Sequence, residues 1–250
     1  MRVKAVRPTR KAPWSRPSVG RAIQGAFALA FAAAIYGYVT LPDVRPLART
    51  NPPTTAFIEL RAREASMQGR PVRRVQRWVS YGRISPELKR AVLVAEDAAF
   101  WQHDGVDYDE LQKSIEVDWA RGQLTRGAST ITQQLAKNLF LSPTKSPTRK
   151  LRELILARRL EAGLTKTRIL EIYLNVIEWG DGIYGVDAAA RAYFGASASS
   201  LNASQSALLA GAIINPRVLS PGRPTARLLR RQQLILRRMG AVQPPSDEVP

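Results

Sequence analysis

The 250-residue sequence contains no cysteine. That absence removes disulfides and thiolate metal sites from consideration and leaves the redox compartment open. Histidine is nearly as scarce: His103 stands alone, which excludes His-rich metal centres and most triads built around an imidazole. Acids are few, 20 Asp and Glu against 38 Lys and Arg, and the resulting formal charge of +18 points to an anionic partner: nucleic acid, anionic lipid or a phosphorylated substrate. The length suits one ordinary domain plus extras, and a hydrophobic content of 45% is normal for a packed protein.

Two local absences set the organisation of the N-terminal part. Residues 1–21 carry Arg2, Lys4, Arg7, Arg10, Lys11, Arg16 and Arg21 and no acid, whereas residues 22–41 carry no charge at all. Twenty residues at helical rise span about 30 Å, the thickness of a bilayer core. The run therefore reads as one transmembrane helix. It is long for the apolar part of a cleaved signal peptide, and Pro42-Asp43-Val44 shows no small-residue cleavage pattern. The positive-inside rule then places the basic tail 1–21 in the cytoplasm and everything after Pro42 outside. Without the tail the chain is still strongly cationic, which suits phosphate-rich lipid headgroups as well as a merely solvated basic surface.

Residues 42–53 read as a linker rich in proline, with Pro42, Pro46, Pro52 and Pro53. Residues 54–82 are mixed, Val72, Val75, Trp78 and Val79 hinting at short extended pieces. From Ser85 the pattern is helical almost throughout. Ser85 caps and Pro86 opens a helix whose Leu88, Val92 and Ala95 recur at helical spacing, with Ala91 and Val94 widening the stripe. Asp107 caps a second, carrying Leu111, Ile115 and Trp119 on one face and ending at Gly122. Ser129 is the expected cap of a third, running to about Phe140. Leu141 to Thr148 is a breaker segment, and helices about 149–162, 166–176, 187–194, 203–213 and 226–239 follow, with stops at Gly163, Gly180 and Gly240. No period-2 sheet signal and no internal repeat occur in this half. The fold class is mainly α, and residues 241–250 read as a tail.

Two stretches concentrate chemistry. In the first, Glu96 and Asp97 end an apolar helix that runs into Phe100, His103, Gly105 and Asp107. Carboxylates near a helix C-terminus oppose the dipole, so they are poorly placed as idle acids. Consecutive helical residues point about 100° apart, so the two cannot share one cleft. One is a candidate for chemistry, the other for local bonding to backbone N–H groups or to His103.

The second stretch, Arg126 to Asn138, places Ile131, Leu135 and Leu139 in an apolar row and Thr130, Gln134, Lys137 and Asn138 on a polar one. A helix N-terminus with small hydroxyl residues, free N–H groups and a lysine one or two turns on suits a diphosphate. Arg149, Lys150 and Arg152 then crowd Glu153 at the start of the next helix. A salt bridge from Arg149 to Glu153 is one explanation, and an anionic ligand is the other, since cations at a helix N-terminus oppose the dipole.

In order, these motifs are Glu96-Asp97-x-x-Phe100-x-x-His103-x-Gly105-x-Asp107, then Gly127-Ala128-Ser129-Thr130-Ile131-Thr132-Gln133-Gln134-x-x-Lys137-Asn138, then Arg149-Lys150-x-x-Glu153, then Lys166-x-x-Ile169-Leu170-x-x-Tyr173-Leu174-Asn175. Together they resemble the peptidoglycan glycosyltransferases over about residues 54–240, and among these the membrane-anchored monofunctional enzymes of Gram-negative bacteria. The resemblance implies a lysozyme-like α-helical domain that polymerises lipid II onto a lipid-linked glycan strand at the outer face of the inner membrane, alongside cell-wall synthesis and division proteins. It implies Glu96 as general base and Glu153 as a second essential glutamate. Asp97, Phe100, His103, Ser129, Thr130, Gln133, Gln134, Lys137, Asn138, Arg149 and Lys150 match positions of its substrate site. Glu153 is expected to orient the cations around the departing diphosphate or to hold a divalent ion, Mg or Mn, beside it. Ala128 departs from the second glycine common at this position in the family.

The residues agree with that chemistry. A sugar hydroxyl needs a base, and a carboxylate in an enclosed site is a sensible one. A lipid diphosphate is already a good leaving group, so cations and N–H donors suffice to stabilise it. A glycosidase on the same fold would need a protonated acid and no cationic cradle. A silent scaffold would not need both glutamates, and a nucleic-acid reader would show a reader motif, which is absent here. Gly180-Asp-Gly182-Ile-Tyr-Gly185 satisfies a dinucleotide fingerprint but follows a helical segment rather than a strand, and reads as a tight turn. Ser142-Pro-Thr-Lys145 satisfies the Ser-x-x-Lys of penicillin-binding proteins without the accompanying motifs. Trp101 and Trp179 are further candidates for substrate contact. Deletion of residues 1–41 is expected to release the protein from membranes while detergent-supported polymerisation stays measurable, with salt weakening any residual binding to anionic vesicles. Co-sedimentation with membranes is the measurement, and a truncated protein that stays wholly bound contradicts the anchor.

Overall fold

The computed structural model describes residues 19–121, 129–142, 144 and 146–241. The expected helix end at Gly122, the Ala128 departure, Lys145 of the Ser-x-x-Lys match, most of the basic tail and residues 242–250 lie outside them. The chain divides into two units, Met1–Pro42 and Asp43–Pro250. In the first, helix α1 (Val19–Val39) is long and apolar enough to cross a membrane, and its described side chains are almost all exposed.

The second unit is mainly α, as expected for a lysozyme-like domain. Its elements are α2 (Ala56–Met67), β1 (Val75–Gln76), α3 (Pro86–Glu96), α4 (Tyr108–Arg121), α5 (Ile131–Phe140), α6 (Pro147–Gly163), α7 (Lys166–Val176), β2 (Glu178–Gly180), β3 (Ile183–Tyr184), α8 (Val186–Phe194), α9 (Ala203–Ala212) and α10 (Ala226–Arg238). Most boundaries follow their caps. The Ser85 hydroxyl accepts from the Glu87 N–H, Ser146 from Arg149, Thr165 from Arg168 and Thr225 from Leu228. Thr130, rather than Ser129, caps α5, its hydroxyl accepting the Gln133 N–H. Helix α6 begins inside the segment read as a breaker, because Pro147 fits the first helical turn at no hydrogen-bonding cost.

One helix and two strands were illegible in the sequence, whereas β1 falls among the short extended pieces expected around Val75. Helix α2 falls within the stretch read as mixed; Thr55 caps it, but only Ile58 and Ala65 are buried, so no apolar stripe marks it. The three strands form a small sheet in the order β1-β3-β2, with β1 parallel and β2 antiparallel to β3. Each has two or three residues, too few to display alternation. The residues read as a linker are also part of the fold: Val44 and Leu47 are buried, and Arg168 on α7 donates to the carbonyls of Leu47 (2.9 Å) and Thr50 (3.0 Å) and to Asn51 Oδ1 (2.8 Å).

Packing follows two groupings that meet at the site. Helix α3 lies against α9 and α10, and α5 lies against α2, α6 and α7. Leu88, Ala91, Val92 and Leu93 of α3 and Ile131, Leu135 and Ala136 of α5 are fully buried. Fully burying one such aliphatic side chain stabilises by about 1.5–3 kcal/mol. Leu111 of α4, expected on the apolar face of that helix, is 38% exposed.

Asn175 at the end of α7 fastens the segment after β1: its amide accepts from the Val79 N–H and donates to the Val79 carbonyl, both at 2.8 Å. The glycine fingerprint after it is a hairpin. Gly180 ends β2 instead of stopping a helix, and β2 is the strand that the sequence reading did not see. A Cβ on Gly180 would stand 1.9 Å from Tyr193 Oη, one on Gly182 2.7 Å from Arg73, and one on Gly185 2.9 Å from the Asn175 carbonyl. These glycines admit neighbouring protein atoms where a dinucleotide site would need open space. Gly185 also has φ +80°, so Gly185→Ala is expected to destabilise by at least about 1–3 kcal/mol from backbone strain. A thermal melt several degrees below that of the parent checks this; an unchanged melt refutes it.

Candidate active site

The end of α3 delivers its two carboxylates to different surroundings. Asp97 is the C-cap of α3 and its side chain is 2% exposed. Its Oδ2 accepts the Ile131 N–H at 2.9 Å, at the first residue of α5, and its Oδ1 lies 2.9 Å from His103 Nε2. The acid that opposes the dipole of its own helix therefore sits on the favourable end of another. Two of the N–H groups expected to be free for a diphosphate at the start of α5 are thereby engaged, that of Ile131 by Asp97 and that of Gln133 by Thr130.

The loop that follows is held from several sides. Gly105 N–H donates to His103 Nδ1 at 3.2 Å, which leaves Nε2 as the protonated nitrogen facing Asp97. Gly105 has φ +83°, and a Cβ there would stand 3.0 Å from Glu161 Cγ on α6. Thr130 Oγ1 donates to the Gly105 carbonyl at 2.7 Å. Lys166, at the start of α7, donates to the His103 carbonyl and to Glu161 Oε1 (2.8 Å), and lies 4.4 Å over the Phe100 ring. Asp107 Oδ1 caps α4 through the Glu110 N–H at 2.8 Å. Asp97, His103 and Asp107 are close enough to suggest a metal site. The tautomer opposes it: with Nδ1 accepting an N–H, a metal on Nε2 would require an imidazolate ring.

Glu96 faces the cleft. Its side chain is 12% exposed, and with Ser129, Thr130, Asp107, Asp109, Glu110, Lys113 and Arg238 it lines a cavity of about 500 Å³. Burial raises its pKa above the usual carboxylate range, against the lowering influence of Gln134, Arg231 and Lys137. Gln134 on α5 donates to Glu96 Oε2 at 3.0 Å, while its own carbonyl oxygen accepts from the buried Tyr173 hydroxyl of α7 at 2.9 Å. That second bond fixes which end of the amide faces the carboxylate. Arg231 of α10, in a part of the chain where the sequence offered only a helical pattern, places NH2 3.5 Å from Oε1.

Glu153 occupies a second centre at the start of α6, 3% exposed. Arg149 pairs with one of its oxygens at 2.6 Å and Lys150 with the other. Lys150 also reaches Gln133 Oε1 at 3.1 Å and Ser129 Oγ at 3.4 Å, tying the start of α6 to α5. The salt bridge considered for Arg149 thus forms, yet Lys150 stays 42% exposed at the rim. Lys137 stands within electrostatic reach of both glutamates. Burial lowers its pKa, the cations Arg149 and Lys150 lower it further, and Glu153 and Glu96 oppose the shift. Among the described residues its ammonium forms no hydrogen bond or ion pair, so it is a donor without a partner.

The remaining expected residues are placed less openly. Phe100 is fully buried, stacked edge-on to Trp101 at 5.0 Å, and touches the core instead of the cleft. Asn138 donates to the Gln134 carbonyl at 2.8 Å. Trp179 is 1% exposed, with its indole N–H on the Leu174 carbonyl, so burial removes it from substrate contact.

The Transglycosylase family profile matches residues 64–240 of the chain. The biosynthetic peptidoglycan transglycosylase of Laribacter hongkongensis is 47% identical over 195 residues, covering 78% of this chain and 86% of that protein. That of Nitrosomonas eutropha is 49% identical over 204 residues, 80% of each, and that of Nitrosospira multiformis 46% over 195 residues, 78% of this chain and 85% of the relative. Asp97→Asn is expected to destabilise by about 1–3 kcal/mol, since one amide cannot accept from both Ile131 N–H and His103 Nε2–H. Denaturant unfolding measures this, and an unchanged midpoint would show that the three-way junction contributes nothing.

Proposed function

Because the chain belongs to the transglycosylase family, we propose that it polymerises lipid II with Glu96 as general base and with Lys137, Arg149 and Lys150 as the cradle of the departing lipid diphosphate. The chain is a peptidoglycan glycosyltransferase of cell-wall synthesis. The observation that carries the assignment of roles is the contrast between the two glutamates. Glu96 is buried beside an open cleft with its basicity raised, whereas both oxygens of Glu153 are occupied by cations.

In the proposed step, a hydroxyl of the acceptor sugar gives its proton to the Glu96 carboxylate as its oxygen bonds to the anomeric carbon of the donor. The bond from that carbon to the diphosphate breaks, and its electron pair leaves on the diphosphate. Gln134 holds Glu96 Oε2, so the carboxylate meets the hydroxyl in one orientation. Lys137, whose ammonium has no hydrogen-bond partner among the described residues, meets the developing charge, and the diphosphate in turn favours its charged form. Glu153 orients Arg149 and Lys150. With Arg149 on one oxygen of Glu153 and Lys150 on the other, the proposed step assigns stabilisation of the departing diphosphate to these side-chain cations, and a divalent ion at Glu153 would add to the same charge neutralisation.

The substrate is lipid-borne, which fits a chain with an apolar N-terminal helix, and we extend the proposal to a single span in the inner membrane with the basic tail cytoplasmic. Partners in cell-wall synthesis and division belong to the same proposal. Incubating purified protein with lipid II and separating glycan strands tests the activity. Glu96→Gln is expected to abolish strand formation with the fold retained. Glu153→Gln should lower the rate and weaken binding of diphosphate-containing analogues, yet keep the acid limb of the pH–rate profile. Near-parental turnover in Glu96→Gln, or loss of the acid limb in Glu153→Gln, would reverse the roles.

A further inference from the structure

Helix α10 brings to Glu96 a group that none of the four motifs contains. Arg231 NH2 lies 3.5 Å from Oε1, the oxygen that Gln134 does not hold. The aliphatic stem of Arg231 is closely packed. Gly211 on α9 lacks the side chain that would crowd this point, and a Cβ there would stand 3.1 Å from Leu228 Cδ1 and 3.6 Å from Arg231 Cγ. Arg231 Nε is buried without a hydrogen-bond partner, and among the described residues Glu96 is the acid with which the guanidinium pairs. Building on the reading of Glu96 as the base, we propose that Arg231 is a positioning residue that holds the Glu96 carboxylate ionised and, with Gln134, fixes its plane for proton transfer.

The surroundings single out this cation. From α5 Glu96 faces Gln134 and Lys137, from α7 Tyr173, from its own helix Asp97, and from α10 Arg231. Helix α9 and the turn Met239–Ala241, also packed on α3, bring no ionisable side chain. Across the cleft stand Asp107, Asp109, Glu110, Lys113 and Arg238. Asp97 and burial both favour the protonated acid, which cannot act as a base. Lys137 opposes them, but it is shared with Glu153 and is the donor that turns to the diphosphate. A guanidinium stays charged throughout the working pH range, so Arg231 supplies the constant charge that lets a buried carboxylate stay available. Its separation from Oε1 is longer than a strong charge-assisted bond, which leaves lone pairs of that oxygen for the incoming hydroxyl.

The test is the pH dependence of kcat/KM for lipid II polymerisation by the full chain in detergent. In Arg231→Met the nearby positive charge is lost, the carboxylate binds its proton at higher pH, and the acid limb moves up by about one pH unit. Measured on that limb, the rate falls roughly tenfold, while the plateau at higher pH is reduced far less. Arg231→Lys should return the limb most of the way. A folded Arg231→Met protein with a uniformly lowered rate and an unmoved acid limb overturns the proposal and leaves Arg231 a packing residue. If Arg231→Met does not fold, Arg231→Gln is read in the same way, with melting curves as the control. Glu96→Gln in the same assay separates the two ideas: an acid limb that survives there disproves the base assignment itself, whereas an inactive Glu96→Gln beside an unmoved Arg231→Met limb disproves only the role of Arg231.

Discussion

The Asp97 carboxylate is the junction on which the site depends. It closes the end of α3, starts α5 through the Ile131 N–H and holds His103 by the other oxygen. A buried carboxylate with those partners cannot be displaced without leaving a helix end or the imidazole N–H unsatisfied, which costs about 1–3 kcal/mol per buried group. The geometry of every reacting group is referred to this point. Glu96 precedes it on the same helix, Gln134 and Lys137 follow it one or two turns along α5, and the loop from His103 to Asp107 is folded onto α6 by Gly105 and Lys166.

Around that junction the protein separates two roles that one carboxyl group could not combine. A proton acceptor has to be basic, so it needs burial and few cations; a group that organises a diphosphate site has to be anionic and closely paired. Glu96 has a single neutral donor at hydrogen-bond distance and one arginine at the margin of contact. Glu153 has a cation on each oxygen. Lys137 lies between them electrostatically, influenced by both glutamates, and in the proposed function it is the cation that meets the diphosphate.

Several residues of the motifs carry structural contacts in this fold. The hydroxyls and N–H groups at the start of α5 look like a diphosphate cradle, yet the Asp97 carboxylate and Thr130 take up two of those N–H groups while Ser129 and Thr130 still line the cavity. Phe100 belongs to a motif of substrate-site residues and turns out to be a wall of the core. Lys166 and Asn175, quoted only as motif letters, fasten the His103 loop and the Val79 segment. Function and support interleave in these motifs because a catalytic carboxylate is only as well placed as the backbone beneath it.

What the sequence determined by itself was periodic or adjacent. The charge-free run of residues 22–41, the caps at Ser85 and Asp107, the buried row of Ile131, Leu135 and Leu139, and the Arg149–Glu153 pair all follow from spacing along one helix, where rise and turn are constant. Four motifs in order were enough to identify the family. Tertiary structure alone decided that Asp97 is buried in a junction while Glu96 beside it stays partly open, that Tyr173 orients Gln134, that residues 43–53 pack into the fold, and that Arg231 reaches Glu96 across 135 positions of sequence. Those are contacts between elements, set by how helices pack around a shared core, and the periodicity of a single helix carries no information about the neighbour it will meet.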